Sequence, residues 1–116
     1  MCSTKTFLEE NMARIIVFSA CANRREARKI ARELLKRRLV ACVNLLPIMS
    51  FYWWKGKIRN GSECLLVIKT RVELFAELQR RISALSSYEV PEIVSVKIDA
   101  GLPSYLKWID EETLAK

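Results

Sequence analysis

The chain has 116 residues, 51% of them apolar and 28% charged, with only three glycines and three prolines. That length suits one domain with a real core and is too short for two, and the composition excludes a disordered, fibrous or low-complexity chain. Twenty Lys and Arg against 13 Asp and Glu give +7, while the absence of histidine and of any C-x-x-C pair among Cys2, Cys21, Cys42 and Cys64 makes a poor metal-site signature.

Residues 1–13 lack the continuous apolar segment of a secretory leader, and no stretch approaches the ~20 apolar residues of a membrane span. They read as a loose N-terminal extension to a single domain over residues 14–116, in a cytoplasmic protein whose cysteines act as small apolar side chains. The run RIIVFSA, residues 14–20, has the pattern of a strand buried on both faces. Asn23 is placed to cap a helix with Glu26 three positions on, and Ala27, Ile30, Ala31, Leu34 and Leu35 recur at helical spacing. The outer face of this helix is basic. Between residues 24 and 38, Arg24, Arg25, Arg28, Lys29, Arg32, Lys36, Arg37 and Arg38 against Glu26 and Glu33 leave +6.

LVACVNLLPIMSFYWWKGKI follows, far longer than one typical strand, with Pro47 expected to bend or bulge it. Lys55-Gly56-Lys57 and Asn60-Gly61 are both turn-like, and Asn60-Gly61 is the stronger hairpin signal. SECLLVIKT, residues 62–70, is then the returning strand. Thr70-Arg71-Val72-Glu73 has capping-box spacing ahead of an apolar stripe of Leu74, Phe75, Leu78, Ile82 and Leu85. After Ser86-Ser87, YEVPEI crosses a proline into a strand where Val94, Val96 and Ile98 alternate with Ser95, Lys97 and Asp99. Leu102-Pro103 opens a short terminal helix carrying Tyr105, Leu106, Trp108 and Ile109.

The resulting order is the split β-α-β, or ferredoxin-like, βαββαβ pattern of an α+β protein: two helices cover one face of a four-stranded antiparallel sheet, and a short C-terminal helix follows. The other face must find its own cover. Adjacent strand residues point to opposite faces, so Trp53 and Trp54 cannot both enter one core. A buried Trp removes roughly 150–250 Å² from water, so an uncovered one forgoes on the order of 2–3 kcal/mol. Aromatics on both faces of a long hairpin therefore predict oligomerisation, with Tyr52, Trp53 and Trp54 as packing residues.

In LVACVN (residues 39–44), YWWKGKI (52–58), VIKT (67–70), YEVPEI (88–93) and YLKWI (105–109), in that order, the chain closely resembles the CutA divalent-cation tolerance family. The resemblance runs from about Arg14 to Glu112. It implies a homotrimer whose hairpins reach across to neighbours, a role in divalent-metal response, and similarity in shape to trimeric PII-type signalling proteins. No enzyme reaction comes with it. It also implies a cleft between subunits, lined here by Lys69, Tyr88, Glu89, Glu92, Ser86 and Trp54.

Carboxylates at that cleft point to modest binding of a divalent cation by Glu92 and Glu89, and oxygen ligands suit hard ions better than copper. Copper-binding members carry a Cys at the end of the first strand, a His in the later motif and the Glu of PE. Those positions hold Ser19, Ser86 and Glu92 here, which argues against tight copper binding, although Cys21, two residues beyond Ser19, offers a thiolate. The bland alternative has Tyr88 and Pro91 shaping a turn, with the acids pairing to bases such as Lys69. Cys42 reads as core and Asn44 as a hydrogen-bonding residue at a strand end.

Other classes fit less well. A PII-like sensor of a small anion or partner is the runner-up. The missing K/R-G-F/Y-G/A-F motif opposes an RNA-recognition module despite the basic helix. Without histidine, a Ser/His/Asp set, a P-loop or G-x-G-x-x-G, an enzyme is not expected.

Overall fold

Alternation along the first strand decides where the core lies. In β1 (Arg14–Cys21), Ile15, Val17, Ser19 and Cys21 point to one side and are buried, whereas Ile16 and Phe18 on the other side are half-buried. The expected cover on both faces is thus met on one face within a protomer. The computed structural model describes residues 13–113. The expected extension over residues 1–13 falls outside them except for Ala13, whose carbonyl accepts from the Val72 amide at 2.9 Å.

Asn23 is extended, and its side-chain oxygen accepts from the Glu26 amide at 2.8 Å, starting α1 (Arg24–Lys36) where the sequence places it. Arg38 closes the helix at φ 58°, in the left-handed position usually given to Gly, and the Leu39 amide reaches back to the Leu34 carbonyl at 3.1 Å. Ala27, Ile30 and Leu34 then pack over the sheet.

The hairpin turns earlier than expected. Strands β2 (Cys42–Trp54) and β3 (Lys57–Arg71) pair without interruption from Cys42 opposite Lys69 to Trp54 opposite Lys57. Lys55 at φ 52° and Gly56 at φ 78° make a two-residue turn, and two positive φ values are what a type I′ turn requires. Asn60 and Gly61 lie inside the ladder, opposite Phe51 and Ser50. Register explains the choice. A two-residue turn at Asn60-Gly61 would place Leu66 and Ile68 opposite Lys55 and Trp53, losing their alignment with Leu45 and Val43.

Pro47 neither bends nor bulges β2; it stays in register opposite Cys64. The sheet order β2-β3-β1-β4 puts β2 at an edge, where alternate amides face outward and a missing donor need cost no ladder bond. The capping box also fails. Thr70 is still in β3 opposite Ile15, and its buried hydroxyl donates to the Leu39 carbonyl at 2.6 Å. A short 3₁₀ turn (Val72–Leu74) therefore precedes α2 (Phe75–Leu85), and neither start has a side-chain cap.

Strand β4 (Val94–Lys97) runs antiparallel to β1 and completes the split β-α-β order. Leu78 and Ile82 of α2 join α1 on the same sheet face as Ile15, Val17, Leu66 and Ile68. Pro103 begins α3 (Pro103–Glu112), as expected. Arg14 grips Asp110 with two nitrogens at 3.0 and 2.5 Å, while Arg71 donates to the Thr113 hydroxyl at 2.7 Å. Buried Ile109 fixes the apolar side of α3.

Candidate functional site

The segment joining α2 to β4 is irregular but pinned. Tyr88 donates its amide to the Ser86 hydroxyl at 3.1 Å, and the Ser87 amide donates to Glu26 on α1 at 3.3 Å. Its phenol donates to a Glu63 carboxylate oxygen at 2.5 Å, tying the segment to β3. Burial, followed by this hydrogen bond, holds the phenol protonated well above the usual tyrosine range.

These restraints form one side of an open cleft of about 670 Å³. Glu63 and Ala20 form its floor, and Tyr52 and Trp54 line it from the hairpin. Strand alternation places all four on the sheet face away from α1 and α2. Tyr88, Glu89 and Glu92 close the other side. The structure thus brings together Trp54, Tyr88, Glu89 and Glu92 of the residues expected there and adds Glu63, which sequence reasoning missed. Its signal was weak: one acid opposite Ile48 in an apolar strand reads as an ordinary solvent-facing residue.

The remaining expected residues lie elsewhere. Lys69 sits opposite Cys42 and Ile16 and donates to the Asn44 side chain, so it is not the partner of the cleft acids. Ser86 supports Tyr88 from behind the cleft lining. Ser19 and Cys21 point into the core, 1% and 2% exposed. Burial, aided by Glu26, Cys64 and Glu63, pushes the Cys21 thiol up to about 12. Cys21 packs in the core on the helix-covered face of β1, whereas the cleft with Glu92 opens on the other face. Cys42 is half-buried at the other end of the open face, near Tyr105, whose phenol is raised by burial and then by Cys42.

Three glutamates with phenol and indole neighbours offer hard oxygen donors suited to a divalent cation. Among the described residues no three His, Cys, Asp or Glu side chains converge tightly enough within one protomer to hold a metal. A cation here would need water or a neighbouring subunit to complete its ligand set.

A model of the family described as CutA1 divalent ion tolerance protein matches residues 15–112. The chain belongs to this family. It is 48% identical over 86 residues, 74% of this chain and 84% of the other, to the divalent-cation tolerance protein CutA of Archaeoglobus fulgidus. The solved structure of the A. fulgidus protein, there called periplasmic, aligns with a TM-score of 0.84 at 41% identity and covers 85% of this chain and 97% of that one. CutA1 from Oryza sativa aligns with a TM-score of 0.88 at 34% identity, covering 92% and 99%. CutA1 structures thus share the four-stranded antiparallel sheet and its helices. No helix among the described residues is long and apolar enough to cross a membrane.

Proposed function

We propose that the protein is a homotrimeric, cytoplasmic divalent-cation tolerance protein whose inter-subunit cleft takes a hard divalent ion through Glu92 and Glu89, with Glu63 as a further carboxylate. The observation that carries this reading is that Glu63, Glu89 and Glu92 all line one open cleft, beside Tyr52, Trp54 and Tyr88. The oxygen-rich donor set favours magnesium-like or manganese-like ions over copper, and no catalytic step is part of the reading.

Two features support assembly. Met49, Phe51, Trp53 and Ile58 are each more than 60% exposed on the hairpin, and Val94 and Val96 are half exposed on the open sheet face. Moreover, β2 is a 13-residue edge strand, a template that soluble proteins usually cover. Cys21, Cys42 and Cys64 are free thiols, which fits a reducing compartment.

Calorimetric titration with magnesium, manganese, zinc and copper, alongside Glu92→Ala and a check of oligomeric state, tests the site. The expected result is at least a tenfold loss of hard-ion affinity with the assembly intact; unchanged affinity sinks Glu92 as a ligand. The aromatic wall keeps a PII-like ligand sensor as the second reading. It prevails if a small anion or nucleotide, and no metal, raises the unfolding temperature, because native-state ligands must stabilise.

A further inference from the structure

The outer face of α1 contributes to neither the core nor the cleft. At ~100° per residue, Arg24, Arg25, Arg28, Lys29, Arg32 and Lys36 fall within about 140° of the helix circumference, opposite buried Ala27, Ile30 and Leu34. The acids of α1 lie outside that sector. Glu26 accepts from the Ser87 amide, and Glu33 pairs with Arg37 at 3.7 Å. Among the described residues none of the six bases has an ion-pair or side-chain hydrogen-bond partner. The sequence counted charge in this segment, whereas the structure separates the unpaired cations from the acids.

We propose, against the expectation drawn from the absent RNA motif, that this ridge binds the phosphate backbone of duplex nucleic acid without reading sequence. The row spans twelve residue steps, about 18 Å at ~1.5 Å per residue, so it asks for a repeated anion. Duplex DNA offers one charge per ~1.7 Å of axis, and its ~12 Å major groove admits a helix. Four of the six bases are arginines, whose planar forks match phosphate oxygens in pairs. The sector has no aromatic to stack on a base, and its one apolar residue is Leu35. The apolar face of α1 is committed to the core and cannot enter a lipid interface. This assignment does not depend on the cleft reading.

The test is fluorescence anisotropy of two labelled 20-base-pair duplexes of unrelated sequence with the full chain at 50, 100 and 200 mM salt. Six neutralised phosphates predict a log–log salt slope near −5 and roughly 10³-fold weaker binding across that range, equal for both sequences. R24Q/R28Q/R32Q/K36Q should bring the slope to about −2, with helix content unchanged by circular dichroism. Should that variant misfold, Arg32→Gln alone should reduce the slope by about 0.9. No binding at 50 mM salt, a slope unmoved by the substitutions, or tighter binding to phosphatidylserine vesicles or inorganic polyphosphate than to the duplexes overturns the proposal.

Discussion

Tyr88 and Glu63 show how one hydrogen bond can define a site that neither residue announces. Tyr88 stands in a visible motif, but the acid it meets lies 25 positions away, and only the β3 register brings them together. Because the carboxylate accepts from the neutral phenol, Glu63→Gln should move part of the ultraviolet phenolate transition to lower pH; an unchanged titration would remove this bond as a cause of the shift. Cys21 gives a second residue-scale prediction. Its folded thiol is raised to about 12 from 9.0, so folding favours the protonated form. The unfolded chain loses this proton first, so stability should fall as pH rises from about 9 to 12. Denaturant midpoints at pH 8 and pH 10 should show a steeper decline in the native chain than in Cys21→Ala. Equal declines would mean that Cys21 does not carry that part of the slope. Burial was hidden from the sequence here, because a Cys two residues from a family ligand position looks available until alternation turns it inward.

Local chemistry made α1 legible: the Asn23 side chain caps it by accepting from the Glu26 amide, and the apolar spacing gives its inner face. The hairpin misled because Asn-Gly is a strong turn pair, while the observed turn depends on thirteen aligned pairs along two strands. Paired substitutions separate these influences. Gly56 has φ 78° and open space around an added Cβ, so Gly56→Ala should cost about 1 kcal/mol through backbone strain alone. Gly61 is also open but lacks positive φ, so Gly61→Ala should be neutral or stabilise by up to about 1 kcal/mol. Chemical denaturation reads both effects, and a reversal would place the turn at Asn60-Gly61. Thr70 failed as a cap for a related reason. Its hydroxyl was taken by Leu39, a partner 31 positions away that local spacing cannot reveal. Asn23→Ala, by contrast, should cost about 1 kcal/mol, because that cap is local and present; an unchanged denaturation midpoint would contradict this role.

At the scale of the molecule, the β-α-β-β-α-β order was readable because each element carries its own period, and the open sheet face followed from having two helices for one sheet. The cleft was readable only in part, since Ser19 belongs to the right motif but faces the core, and Lys69 lies on the open face but at its other end, beside Asn44. With extents of 51 × 30 × 24 Å and bare aromatics on the hairpin, the chain exposes the surface that the proposed trimer would cover. A native mass spectrum of the freshly purified full chain, before any metal is added, tests this most directly. A trimer is expected, with Trp53 and its hairpin neighbours buried between subunits. A monomer at micromolar concentration would contradict it and leave the carboxylate cleft without the neighbour it needs to close around a cation.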